Sequence, residues 1–288
     1  MLHRGGAQGL AGRRGLGKTV RFLSLAVALA VAGCASQEAA DEFALDDTPA
    51  ELMFNQGLAL RAEGKLKDAE AKFSELDRVY PYSEFARKSL INIAYLNFTM
   101  GNYAEAVAAA DRFVTLYPGN DDAAYALFLI GESYYRQIPD VGRDQAATQR
   151  ALKAFDEVVQ RFPDSEYAEQ ARQRVRVAHD QLAGKEMEVG RYYLQRRQYL
   201  AAINRFKVVV TNYQTTRHIE EALFRLTESY YALGVVNEAQ TAAAVLGHNF
   251  PESQWYRDAH SLLQKGGYEP SETESSWISR AFKDIKLL

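Results

Sequence analysis

The sequence predicts an all-α fold, a right-handed α-solenoid of five helix pairs followed by a C-terminal capping helix. One pattern recurs five times: an alanine, an aromatic residue eleven positions later, and then a closing position that is proline in four copies. A small residue precedes the alanine by twelve positions in four copies and by twenty in the third. No stretch alternates apolar and polar residues as a half-buried β-strand does.

Each copy of the pattern is interpreted as two helices that pack against each other. The small residues are Gly57, Ala94, Gly131, Gly190 and Thr227, and the alanines are Ala69, Ala106, Ala151, Ala202 and Ala239. The closing positions are Pro81, Pro118, Pro163, Gln214 and Pro251. This order of small, aromatic, alanine and proline positions is the tetratricopeptide (TPR) signature. Because one pair cannot bury its own apolar face, the pairs must stack.

The solenoid is predicted over residues 49–267. Serines two positions after three of the prolines are expected to cap the next helices, and they are Ser83, Ser165 and Ser253. An insertion in the third repeat, 138–144, is interpreted as a surface loop. Since no strong break follows Ser165 until about residue 195, a long helix is expected to join the third repeat to the fourth.

The N-terminus has the features of an exported lipoprotein. Residues 1–33 carry five basic residues, no acidic ones and a short apolar stretch, which is typical of a signal peptide. They end directly before Cys34, the single cysteine of the chain, in a segment that looks like a bacterial lipobox. Cys34 is therefore the predicted lipid attachment site, and the absence of aspartate after it favours the outer membrane. Residues 34–48 are polar and acidic and are interpreted as a flexible tether.

Composition and spacing favour a binding protein over an enzyme. The formal net charge is −3, and it becomes −8 without the five basic residues of 1–33, which argues against binding to nucleic acid. The five histidines are scattered, and none has metal-ligand spacing with another. We therefore predict no catalytic residue, no metal site and no cofactor.

One face of the predicted first helices is rich in aromatic residues and is edged by arginine. Its members are Phe54, Arg61, Tyr95, Phe98, Tyr125, Phe128, Tyr135 and Arg136. Such a groove suits an extended peptide that carries aromatic side chains and a terminal carboxylate. Packing between helices is the alternative explanation for any single aromatic residue in this set.

Residues 268–288 form a tail that begins with a polar run. The apolar residues that follow have helical spacing and predict a short amphipathic helix; they are Trp277, Ile278, Ala281, Phe282, Ile285 and Leu288. Two interpretations remain open: a helix that docks into a partner, and a second cap or frayed end.

The lipobox, the acidic tether and the five repeats together resemble the BamD family, lipoproteins of the outer-membrane β-barrel assembly machinery. The resemblance implies a scaffold on the periplasmic face of the outer membrane that receives unfolded outer-membrane proteins at its N-terminal repeats. It also implies that the C-terminal half binds the POTRA module of BamA and that accessory lipoproteins join the complex. Tyr192-Tyr193 and Asn204-Arg205 match the family pattern, which implies that Arg205 contacts BamA. Gln214 and the tail depart from that pattern.

Two other functions are compatible with the repeats. A periplasmic protein of cell-envelope and division coordination, similar to the CpoB type, would have a trimerising coiled coil near its N-terminus. No apolar heptads occur between Cys34 and Pro49, which disfavours it. A pilotin lipoprotein would bind a secretin instead.

Overall fold

The computed structural model describes residues 49–283, and all regular structure in this part of the chain is helical. Twelve helices follow one another: α1 (Ala50–Ala62), α2 (Leu66–Val79), α3 (Glu84–Met100), α4 (Tyr103–Leu116), α5 (Ala123–Tyr135), α6 (Ala146–Arg161), α7 (Ala168–Gln195), α8 (Tyr199–Asn212), α9 (Ile219–Ala232), α10 (Val236–Asn249), α11 (Gln254–Lys265) and α12 (Trp277–Lys283). The predicted signal peptide, Cys34, the tether, Ile285 and Leu288 lie outside the described residues.

The helices pack in sequence order, each against the next, as far as α10. In the first three repeats each first helix also contacts the next one, α1 with α3 and α3 with α5. The capping helix α11 packs on both helices of the fifth repeat. The fold is therefore the predicted TPR-like solenoid. Its core is the stack of faces between successive helices, and a phenylalanine is fully buried in each of the first four repeats: Phe73, Phe113, Phe155 and Phe206.

The size of the small residue in each first helix is complementary to the size of the residue that it faces in the second helix. A Cβ atom on Gly57 would lie 2.7 Å from the ring of Phe73, and one on Gly131 would lie 2.5 Å from Phe155. Gly190 faces Phe206 in the same way. The repeats that have Ala94 or Thr227 at this place carry alanine, not phenylalanine, in the second helix, at Ala110 and Ala243. A smaller residue on the first helix is thus compensated by a larger one on the second, which keeps the interior of each helix pair closely packed.

The aromatic residue before each closing position ends its helix, and a hydroxyl group often fixes the turn that follows. The hydroxyl groups of Ser83 and Ser165 donate to the carbonyl oxygens of Tyr80 and Phe162, each at 2.9 Å. Ser83 and Ser253 also cap the next helix, as predicted. Ser165 does not, because α7 begins only at Ala168.

Helix α7 is continuous over 28 residues and belongs to two hydrophobic cores. Ala171 is buried with residues of the second and third repeats, whereas Ala183 and Met187 are buried with residues of the fourth and fifth. Gly184 does not interrupt the helix. One rigid element therefore joins the two halves of the solenoid.

The inserted loop of the third repeat packs along α7. The side-chain amide of Gln181 donates to the Pro139 carbonyl oxygen at 3.0 Å, and the Lys185 ammonium donates to that of Gly142 at 2.7 Å. Val141 lies against Gly184, where a Cβ atom would approach its Cγ2 to 3.1 Å. The loop is thus held by side chains from the middle of α7.

The tail folds back onto its own solenoid. The Thr273 amide donates to the hydroxyl of Thr241, and the hydroxyl of Ser276 donates to Glu238. Helix α12 then packs on α10 and α8, and Ile278 is fully buried there. The described part of the tail is therefore docked within the chain.

Candidate partner-binding surfaces

The face formed by α1, α3 and α5, here called the first-helix face, brings together three of the predicted groove residues at one end. The guanidinium of Arg61 lies 5.2 Å from the centre of the Tyr95 ring and donates to the side-chain oxygen of Asn92 at 2.5 Å. The pKa of Tyr125 is raised to about 12, mainly by burial and also by the Tyr167 and Tyr95 phenols, and the positive charge of Arg61 opposes this rise. Tyr125 is therefore a neutral hydrogen-bonding phenol at any physiological pH.

A second group on the first-helix face surrounds a buried carboxylate. Glu132 is 6% exposed and accepts a hydrogen bond from Nε of Arg174 at 2.5 Å. Arg174 also stacks over Tyr135, with 4.3 Å between the guanidinium carbon and the ring centre. Arg136 lies 5.9 Å from the centre of the Phe98 ring and 4.0 Å from the Glu132 carboxylate. The group fixes two guanidinium groups beside two aromatic rings.

Glu132 and Arg174 were not predicted as part of this face. The available signal was a carboxylate directly after the small residue Gly131, within a helix that otherwise buries nine small or apolar residues. Such a carboxylate needs a cationic partner. The sequence does not reveal that this partner comes from α7, 42 positions further along the chain.

Two of the predicted groove residues are mainly packing residues. The Phe54 ring lies between those of Phe73 and Phe85, with centre distances of 5.5 and 5.7 Å. Phe128 is 9% exposed and contacts Phe155 and Tyr167. The accessible part of the face is therefore formed by Tyr95 and the arginines, and these two phenylalanines support it from below.

Arg205, the residue predicted to contact BamA, and the Tyr192-Tyr193 pair lie on the two helices of the fourth repeat. Arg205 is on α8, and its Nη1 is 3.2 Å from a carboxylate oxygen of Glu186 on α7. The arginine side chain keeps 44% of its surface exposed. Tyr192 is 49% exposed, and Tyr193 packs against its ring edge and joins the core. This second surface combines an accessible cation with an accessible aromatic ring.

Residues 49–283 contain neither a metal-ligating cluster nor a membrane-spanning helix. Across residues 49–283, no group of three or more histidine, cysteine, aspartate or glutamate side chains is placed to hold a metal ion. Within the same range, no helix is both long and apolar enough to cross a bilayer.

Comparison with known proteins identifies the family. A family model described as YfiO, outer membrane lipoprotein, matches residues 46–246. The chain belongs to this family. "Outer membrane protein assembly factor BamD" of Caulobacter vibrioides is 46% identical over 88% of this chain and 83% of its own length. The Rickettsia prowazekii protein of the same name is 38% identical over 86% of this chain and 98% of its own.

The YfiO match begins at the end of the tether and reaches residue 246, in the last helix of the fifth repeat, so the family assignment applies to nearly all of the repeats. Among solved structures, the crystal structure of MamA protein is 14% identical, with a TM-score of 0.33 over 78% of this chain and 97% of that one. Of the three functions compatible with the repeats, the family assignment favours outer-membrane protein assembly.

Proposed function

We propose that this chain is a non-catalytic scaffold of outer-membrane protein assembly, bound to the periplasmic face of the outer membrane. The observation that carries this proposal is the similarity, over more than four fifths of the chain, to relatives named as outer membrane protein assembly factors. A solenoid supports such a role because its stacked helices present long surfaces on a rigid frame. Acylation of Cys34 would hold that frame at the bilayer.

The proposed partner of the fourth repeat is the POTRA module of BamA, with Arg205 as one contact. Arg205 is paired with a single carboxylate, that of Glu186, and remains 44% exposed. A guanidinium has five donors in a rigid fork, so Arg205 can keep this pair and still bind a carboxylate of the partner. Glu186 thus holds the arginine in place before binding, which lowers the entropy cost of the contact.

The affinity of the purified POTRA module for Arg205→Ala tests this contact. We expect the dissociation constant to rise about tenfold, because arginine is enriched among the interface residues whose truncation costs more than about 1 kcal/mol. Arg172→Ala is the matched control, because Arg172 is also an exposed arginine, at 41%, paired with one glutamate. Equal affinities of the two variants would contradict a role for Arg205, and no binding by the wild type would contradict the proposed function.

The first-helix face is proposed to receive unfolded outer-membrane proteins by a C-terminal aromatic residue and its carboxylate. Arg61 and Arg136 each lie over an aromatic ring, which fixes the cation beside an apolar surface. An aromatic side chain with a free carboxylate two or three bonds away matches this pairing of charge and ring. Accessory lipoproteins of the assembly complex are further proposed partners.

A pair of short peptides tests the first-helix face. A peptide that ends in phenylalanine with a free carboxylate should bind the wild type, and its amidated form should bind about fivefold more weakly. Arg136→Ala should remove this difference. Arg112→Ala is the control, because Arg112 is half exposed and pairs with Asp77 on the second helices. Equal binding of the two peptides would contradict recognition of the carboxylate.

A further inference from the structure

The turn between the two helices of the fourth repeat differs from its counterparts at one backbone position. In the first, second and fifth repeats the chain leaves the first helix through a glycine of positive φ: 77° at Gly64, 82° at Gly101 and 74° at Gly234. The fourth repeat has Arg197 at this place, with φ of 58°. In the third repeat the inserted loop replaces the turn.

Hydrogen bonds show that the four turns share one conformation. In each, the residue after the positive-φ position donates its N–H to the carbonyl oxygen five residues earlier, at 2.9 to 3.0 Å: Lys65 to Leu60, Asn102 to Asn97, Gln198 to Tyr193 and Val235 to Tyr230. A turn of this kind favours glycine, because a Cβ atom crowds the backbone in the left-handed region. Arg197 therefore occupies a strained position.

The side chains around Arg197 form an exposed surface, here called the fourth-repeat turn: Tyr192, Arg196, Arg197 and Leu200. The guanidinium of Arg196 lies 4.2 Å from the centre of the Tyr192 ring. Leu200 is 69% exposed, and Tyr192 is 49% exposed. Within residues 49–283 neither Arg196 nor Arg197 has an ion-pair partner. The turn thus joins two unpaired cations to accessible aromatic and aliphatic side chains.

We propose that the fourth-repeat turn binds an acidic patch on a folded protein, with Arg197 as a specificity-determining residue. Strained backbone positions cluster at functional sites, and Arg197 is such a position at an exposed turn. Tyrosine and arginine are the types that contribute most to protein interfaces, and an unpaired guanidinium binds carboxylates. The two guanidinium charges make the turn locally positive on a chain whose net charge after residue 33 is −8, so charge complementarity at this place favours an acidic partner surface.

This inference rests on the proposed function, because the POTRA module of BamA serves as the probe. Two variants of Arg197 separate binding from folding. Arg197→Gly relieves the strain and removes the charge, so it should raise the melting temperature by about 2 °C and weaken POTRA binding about fivefold. Arg197→Glu keeps the strain and reverses the charge, so it should weaken binding further without raising the melting temperature.

The opposite signs of the two effects in Arg197→Gly distinguish an interface residue from a structural one. If both variants bind the POTRA module as the wild type does, while Arg205→Ala binds weakly, this inference is wrong and the proposed function stands. If the wild type does not bind the module, both are wrong. Binding to vesicles of phosphatidylcholine and phosphatidylglycerol is measured as well. If Arg197→Gly loses vesicle binding but keeps POTRA binding, the turn contacts the bilayer and the proposal of a protein partner is wrong.

Discussion

Three phenylalanines occupy equivalent places in the first, third and fourth repeats, and each lies against a glycine of the preceding helix. These are Phe73 against Gly57, Phe155 against Gly131, and Phe206 against Gly190. Each ring is fully buried. The close approach of two helix backbones therefore depends on one missing Cβ atom in each pair.

Gly131→Ala is expected to destabilise the fold even though alanine favours helices. The new Cβ atom would lie 2.5 Å from the Phe155 ring, which forces the helix pair apart. Overpacking of this kind costs about 1 to 3 kcal/mol beyond the roughly 1 kcal/mol gained in helix propensity. Chemical denaturation measures the change in the free energy of unfolding.

Gly119→Ala is the control for this substitution, since no atom lies within 4 Å of the position that its Cβ would take. Its free energy of unfolding should stay within about 0.5 kcal/mol of the wild type. Addition of Phe155→Leu to Gly131→Ala should recover part of the loss. A Gly131→Ala protein as stable as the wild type would show that the ring yields without cost.

Glu221 on α9 forms an ion pair with Arg191 on α7, which links the first helices of the fourth and fifth repeats. Burial raises the pKa of Glu221, but two hydrogen bonds of 2.9 Å from Arg191 and the charges of Arg191 and Arg225 lower it more, so it lies below its ordinary value. A depressed carboxylate pKa stabilises the fold at pH values above the ordinary pKa of about 4.3. This contribution is lost as the pH falls through the lower, folded-state value.

Glu221→Gln should therefore lower the free energy of unfolding by about 1 to 2 kcal/mol at pH 7, and the difference from the wild type should shrink below about pH 4. Urea unfolding at several pH values measures both. Glu169→Gln is the control, because Glu169 is 62% exposed and pairs with Arg172 one helical turn away. A wild-type advantage that persists unchanged at pH 3 would exclude the carboxylate as its source.

At the scale of elements, the tail acts as an added layer on the second helices of the last two repeats. Gln214 is the one closing position that is not proline, and its side-chain amide donates to the Ala281 carbonyl oxygen at 2.8 Å. Trp277 donates to the hydroxyl of Tyr230 at 3.1 Å, and Lys207 of α8 lies over its ring. Proline has no side-chain donor, so only the departure from the repeat pattern at this position allows the hydrogen bond to the tail.

Deletion of residues 268–288 is expected to destabilise the C-terminal half. Burial of Ile278 alone contributes about 2 kcal/mol, and its contacts with α8 and α10 would be lost. Hydrogen exchange should accelerate in α8 and α10 and stay unchanged in α1 to α4. Gln214→Pro, which restores the repeat pattern, should produce a smaller change of the same kind. Unaltered exchange in α8 and α10 after the deletion would contradict this role of the tail.

At the scale of the whole solenoid, α7 couples two cores that otherwise belong to different repeats. Ala171 is the last fully buried residue of α7 in the core of the second and third repeats, and Val175 packs against that core. Ala183 is the first residue of α7 in the core of the fourth and fifth repeats. Gln181, between these two residues, and Lys185, directly after them, donate to carbonyl oxygens of the inserted loop. The loop and the helix together form the joint between the two halves.

Val177→Pro is expected to uncouple the two halves. Val177 lies between the two cores and is 47% exposed, so the substitution removes little packing. Proline inside a helix costs about 3 kcal/mol and breaks the backbone hydrogen bond at that turn. Calorimetry should then resolve two unfolding transitions in place of one. Val177→Ala keeps the helix and should unfold as the wild type does, and a single transition in both variants would contradict the coupling by α7.

Much of this architecture follows from sequence spacing alone. The alanine and aromatic positions predict the number, order and pairing of the helices, because only helix pairs of one size give such a period. The long helix after Ser165 is also predicted, since the chain has no proline there to end it. The aromatic residues of the first-helix face are predicted as a set, because they recur at one helical phase. Gln214 stands out in the sequence as the one closing position that is not proline. Only the structure shows that the tail binds there.

Contacts between distant segments were decided only by the tertiary structure. Arg174 pairs with Glu132 across 42 positions, and the tail returns to Gln214 across 67. Local spacing determines which face of a helix is apolar, and so it determined the solenoid. It does not determine which side chain of another helix meets a given carboxylate or amide, because that depends on how the stacked pairs are rotated and offset. The division of the aromatic face into packing residues and accessible residues was set by the same geometry.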